Sequence, residues 1–231
     1  HHQPRRQRQM CIRDRPILSS SSIFIDEGAT FTLTTSEIFI TDADDNLSDV
    51  NIAISNLSST LSIQIAGSPV TSFTGQQLTD GNVSLVHDGS EDSTVFFDLT
   101  AEDGDEDLST PLTQSVFVSV TPVNDAPVIG SQTGTTVLEN SGNTSTSVGS
   151  ISATDVDDPS LTYSITNGNA SGFFTIAPST GNITLTTAGT AEVNQDNLVT
   201  TTYTLEITVA DDETPTPASV SYTHLRAHET R

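Results

Sequence analysis

Short runs with an apolar residue at every second position recur along almost the whole chain. Phe31 and Leu33 are followed by Ile38 and Ile40, Val50 to Ile54, Leu61 to Ile65, Val83 and Leu85, Val95 to Leu99, and Ser115 to Val120. Later come Leu161, Tyr163 and Ile165, then Ile183 and Leu185, then one long run through Tyr203, Leu205, Ile207 and Val209. Gly, Asn, Asp and Ser separate the runs at roughly 8–12-residue spacing, and no i, i+3, i+4, i+7 stripe emerges. Period-2 alternation puts successive side chains on opposite faces of a strand, so the chain reads as an all-β sandwich. Aromatic residues are 5 % of 231 and tryptophan is absent, which suits short strands burying small β-branched side chains.

Three acidic landmarks occur twice in the same order. Thr41-Asp42-Ala43-Asp44-Asp45 returns as Thr154-Asp155-Val156-Asp157-Asp158, an offset of 113. Asp103 returns as Asp211, an offset of 108, and Glu27 as Glu139, an offset of 112. The chain therefore holds two copies of one module. Between them lies Val120-Thr-Pro-Val-Asn-Asp-Ala-Pro-Val-Ile129, where Pro122 and Pro127 stiffen a spacer that carries Asn124 and Asp125. An acidic, stiff joint is suited to holding a hard cation.

The charge is segregated. All seven arginines lie in 1–15 or 226–231, and 28 of the 30 acids, all but Asp14 and Glu229, lie in the cation-free body between. The strings 10–15 (M-C-I-R-D-R) and 221–230 (S-Y-T-H-L-R-A-H-E-T) resemble non-native, adapter-derived sequence. Residues 1–15 and 222–231 are expected to be non-native or disordered tails, flanking a module at 16–122, a linker at 123–127 and a C-terminally truncated module at 128–221. The alternative, a basic N-terminal arm for nucleic acid or lipid, competes with a body that repels both. The body has no cysteine, so disulfides do not stabilise it, and no apolar run reaches the roughly 18 residues of a membrane span.

The second module resembles a cadherin domain through V-L-E-N (137–140), A-T-D-V-D-D (153–158), L-T-Y-S-I (161–165), F-T-I-A-P-S-T-G-N-I-T-L (174–185) and Y-T-L-E-I-T-V-A-D (203–211). The first is similar to the cadherin-like, chondroitin-sulfate-proteoglycan type repeat through residues 72–92, 96–104 and the terminal V-T-P-V-N-D-A-P. The resemblance covers about 22–221. It implies two tandem Greek-key β-sandwiches of immunoglobulin-like architecture with Ca2+ between successive modules. Tandem arrays of this kind are typical of large bacterial surface adhesins. The expected partners are adjacent repeats and a homophilic or cell-surface ligand. The expected location is extracellular or at the cell surface, with any membrane attachment through anchor regions outside this chain.

By that resemblance, the inter-module site takes Glu27 and Asp103 from module one, Asn124 and Asp125 from the joint, and Asp155, Asp157 and Asp211 from module two. Calcium binds 6–8 oxygens in flexible geometry, and this set offers oxygen alone. Asp42, Asp44 and Asp45 would serve a preceding module, and Glu139 and Asp196 a following one; Asp88, Glu91 and Asp92 remain alternatives for one further ligand. An EF-hand starting at Asp103 fails, because position six is Leu108 and position twelve is Gln114. The body's single histidine, His87, is expected at a strand end, hydrogen-bonded to nearby acids. With no Lys, Arg, Cys or G-x-S-x-G elbow, an enzyme is not expected. The alternative function is a passive spacer or carbohydrate-binding accessory module of a secreted enzyme, and exposed aromatics on one face would favour direct ligand contact.

Overall fold

The computed structural model describes residues 15–43, 45–104, 111, 113–135, 137–138, 141–195, 201–212, 219–222 and 225–227. They form two compact units, divided between Val123 and Asn124. Asp44, Asp105 to Asp107, Glu139 and Asp196 lie outside the described residues.

The first unit runs β1 (Ile17–Ser20), β2 (Ile23–Asp26), β3 (Thr30–Leu33), β4 (Ile38–Thr41), β5 (Asn51–Ser55), β6 (Leu61–Ile65), β7 (Ser68–Pro69), β8 (Ser72–Thr74), α1 (Gly75–Thr79), β9 (Val83–His87), β10 (Thr94–Glu102) and β11 (Thr113–Thr121). One sheet has the order β2-β11-β10-β5-β8, the other β3-β9-β6-β7, and β1 pairs with β4. The alternation seen in the sequence sets the core. Val95, Phe97, Leu99, Val116 and Val118 from the first sheet meet Leu33, Ile63, Val83 and Leu85 from the second, all buried. Each such side chain contributes about 1.5–3 kcal/mol on leaving water. Helix α1 is too short to show a 3.6 period. It rests on a capping box, in which Thr74 Oγ1 accepts from the Gln77 amide and the Gln77 side chain accepts from the Thr74 amide.

The second unit runs β12 (Val128–Gly134), β13 (Ser147–Thr154), β14 (Thr162–Asn167), β15 (Phe174–Ile176), β16 (Asn182–Leu185), α2 (Thr187–Val193), β17 (Thr201–Tyr203), β18 (Glu206–Ala210), β19 (Ser219–Tyr222) and β20 (Leu225–Ala227). Its sheets are β12-β13-β16-β15, β14-β18-β19 and the pair β17-β20. Ile151, Tyr163, Ile183, Leu185, Leu205, Ile207 and Val209 fill the core.

One expectation changes here. The long run through Tyr203 and Val209 is two strands in different sheets, β17 and β18. The alternation carries through because Leu205, in the break, is fully buried in the same core. Strand β20 pairs with β17, Thr201 opposite Ala227 and Tyr203 opposite Leu225. Among the described residues no helix is long and apolar enough to cross a membrane.

Candidate metal centre

In the second unit, strand register gathers the acids. Val128 at the start of β12 lies opposite Thr154 at the end of β13, so Asn124 and Asp125 enter beside the turn that begins at Asp155. Thr162 at the start of β14 lies opposite Ala210 at the end of β18, which brings Asp211 and Asp212 to the same end. Hydrogen bonds then tie the group together. Asp155 Oδ1 accepts from the amides of Asp157 (2.9 Å) and Asp158 (3.1 Å). Asp157 Oδ2 accepts from the Asp125 amide at 2.7 Å. Asn124 Nδ2 donates to Asp211 Oδ2 at 3.1 Å and to the Asp125 carbonyl at 3.0 Å. Asp158 accepts from the Ser160 amide at 2.7 Å and the Asp212 amide at 3.3 Å. Those bonds, the Ser160 one foremost, hold the Asp158 carboxyl below the usual carboxylate range.

Five of the seven expected ligands (Asn124, Asp125, Asp155, Asp157 and Asp211) thus form one connected group within the second unit. Asp211 is buried, and Asp155 Oδ2 is buried with no hydrogen-bond partner among the described residues. A lone carboxylate oxygen in that position carries the full cost of desolvation unless a cation meets it.

The first unit presents Glu27 at its linker end. The Glu27 amide donates to the Thr121 carbonyl at 2.9 Å, and its Oε2 accepts from the Val123 amide at 3.2 Å. Its Oε1 is buried without a hydrogen-bond partner among the described residues. Carboxylate oxygens of Glu27 and Glu91 lie within 4.8 Å of each other. That favours Glu91 over Asp88, whose Oδ1 is turned back onto the Ser90 amide and hydroxyl. The Ser90 hydroxyl foremost holds the Asp88 carboxyl low.

Asp103 does not belong with Glu27. Strand β11 runs towards the joint, β2 lies parallel to it with Asp26 opposite Thr121, and β10 is antiparallel, with Thr94 opposite Ser119 and Thr100 opposite Thr113. Asp103, just past β10, therefore sits at the end of the unit away from the joint. There its carboxylate lies within 4.8 Å of those of Asp42 and Asp45, and Asp42 Oδ1 accepts from the Asp45 amide at 2.8 Å. The same bond joins Asp155 to the Asp158 amide. The internal repeat held this signal: Asp103 matches Asp211 as Asp42 matches Asp155, so the two members of each pair share an end.

His87 also differs from its expectation. Its Nδ1 accepts from the backbone amides of Gly28 and Gly89, each at 3.3 Å, and its Nε2 meets no acid by hydrogen bond among the described residues.

Residues 16–120 match the family model described as cadherin-like, and residues 134–228 match the cadherin domain model. The chain is a tandem of two cadherin-type domains. The crystal structure of human protocadherin-24 EC1-2 superposes with a TM-score of 0.58 at 17 % identity, covering 94 % of this chain and 100 % of that one. Protocadherin gamma C5 EC1-3 gives 0.53 at 20 % identity, covering 93 % and 68 %, and Drosophila N-cadherin EC1-4 gives 0.52 at 14 %, covering 90 % and 48 %. At these identities the likeness is one of fold. No curated protein sequence matches the chain. Cadherin domains are extracellular, non-enzymatic adhesion-type repeats that typically bind calcium at the linker between domains. The residues present fit that ion: every donor is an oxygen, and Glu27 Oε1 and Asp155 Oδ2 are each buried with no hydrogen-bond partner among the described residues.

Proposed function

We propose that this chain is a calcium-stiffened repeat pair from a larger, secreted or surface-anchored adhesin. The ligands from the first domain are Glu27 and Glu91. The linker supplies Asn124 and Asp125, and the second domain supplies Asp155, Asp157 and Asp211. Asp42, Asp45 and Asp103 form a separate acidic group that would serve a preceding domain. Without the ion, the acids at the joint repel one another. With it, domain ends and the Pro-flanked linker become mutually fixed, and an array of such domains acts as a rod that presents a distal binding tip. The observation that carries the reading is the Asp155 turn, in which one oxygen is committed to two amides while the other is buried and open to a cation.

Calorimetry and small-angle scattering of the full chain test it. Calcium is expected to bind and to lengthen the scattering envelope. Heatless titration with an unchanged envelope would sink the reading.

The runner-up, a carbohydrate-binding accessory module, gains from one face of the first domain. Phe24, Phe96 and Phe117 stand outward there, 70 %, 43 % and 58 % exposed, with the Phe96 and Phe117 rings 6.3 Å apart. Glycan binding that is abolished by Phe117→Ser and indifferent to calcium would favour it.

A further inference from the structure

The Glu27 turn and the loop that carries Glu91 come from distant parts of the chain. Gly28 sits at φ +65° and Gly89 at φ +88°, a left-handed region that side chains with a Cβ rarely adopt. The two turns pack against each other, and a Cβ added at Gly28 would lie 3.8 Å from the Gly89 Cα. Between them is His87, 2 % exposed at the end of β9. The His87 amide donates to the Ala29 carbonyl at 3.1 Å, and Nδ1 takes the amides of both glycines. A nitrogen that accepts two amides carries no proton, which leaves Nε2 as the ring's N–H.

That Nε2–H is buried with no acceptor among the described residues. Leaving such a donor unmet costs about 1–3 kcal/mol. A leucine would fill the volume without that cost. What the imidazole supplies, and no apolar side chain can, is one acceptor for two inward-facing glycine amides. Gly28 follows Glu27, and Gly89 precedes Glu91 by two residues.

We propose that His87 is a positioning residue: its Nδ1 clasps the Glu27 turn to the Glu91 loop, setting the first domain's calcium carboxylates before the ion arrives. This rests on the calcium reading above for its consequence, but the clasp itself is a property of the calcium-free protein.

The test uses the full chain, nitrogen-15 labelled, as wild type, His87→Leu and His87→Asn. Asparagine carries its Oδ1 where the imidazole carries Nδ1, so it keeps the acceptor that leucine removes. In calcium-free wild type, NMR is expected to show His87 Nδ1 unprotonated and the Gly28 and Gly89 amides protected from exchange. In H87L, exchange at both glycines is expected to accelerate and calcium affinity to fall, each by about tenfold; H87N holds both within about threefold of wild type. Should H87L not fold, H87Q replaces it, since its acceptor sits one bond too far out. A protonated Nδ1 would overturn the proposal, as would H87L with wild-type protection and wild-type affinity. If wild type binds no calcium while H87L still loses glycine protection, the calcium reading fails and the clasp stands.

Discussion

Asp155 divides its two oxygens between different tasks, and that division can be tested with a single atom. In Asp155→Asn the side-chain carbonyl still accepts from the Asp157 and Asp158 amides, so the turn survives. What is lost is the buried charged oxygen. Calcium affinity is expected to drop about tenfold or more, while thermal stability without calcium does not fall, because one acid of a crowded group is neutralised. Calorimetry with calcium and melting without it check the two halves. Asp98 shows the other use of a buried acid. It is 8 % exposed, and its carboxylate accepts from the Ser115 hydroxyl at 2.6 Å and the Asn56 side-chain amide at 2.7 Å. Those two bonds, the Ser115 one first, lower its affinity for a proton beneath the ordinary value of 3.8. A depressed folded-state value stabilises the fold above the unfolded-state value and loses that contribution as the pH falls through the folded one. Asp98→Asn is therefore expected to be less stable than wild type at pH 7 by about 1 kcal/mol. The gap closes as the pH drops below 3.8, measured by urea melts across pH.

Among elements, β10 and β11 decide most. The pairing of these two nine-residue strands buries Phe97 completely, and Phe97→Ala is expected to cost about 3–5 kcal/mol in denaturant unfolding. The same pairing sends Asp103 to one end of the first domain and Glu27 to the other, roughly 30 Å apart at about 3.3 Å per residue. Double-mutant cycles read by calorimetry are expected to show coupling between Asp42→Asn and Asp103→Asn, and additivity between Glu27→Gln and Asp103→Asn. The strands themselves were legible, since buried Leu61, Ile63, Val83, Leu85, Val116 and Val118 follow the alternation. Other elements were not. Strand β12 is exposed along nearly its whole length and has no alternation to read. The capping box before α1 was written in Thr74 and Gln77, but five helical residues carry no periodic face.

For the whole molecule, net charge −23 with no cation between Arg15 and Arg226 makes each domain self-repelling. Calcium is expected to raise the melting temperature, with about 2.7 kcal/mol of stabilisation at a hundredfold excess over Kd. Magnesium is expected to do less, because it demands a tighter octahedral shell and gives up water reluctantly. Differential scanning calorimetry with each ion and with chelator checks the order. The all-β class, the two-fold repeat and the supply of acids are legible in the order of residues, because period 2 and repeat spacing are local properties of the chain. The cadherin resemblance placed Asn124, Asp125, Asp155, Asp157 and Asp211 in one set together with Glu27 and Asp103. Which end of the first domain each acid reaches, that Glu91 rather than Asp88 faces Glu27, and that His87 serves two glycine amides emerge only from the folded arrangement. Those follow from strand register and from contacts between residues as far apart as Gly28 and Gly89, and neither is encoded in any window of neighbouring residues.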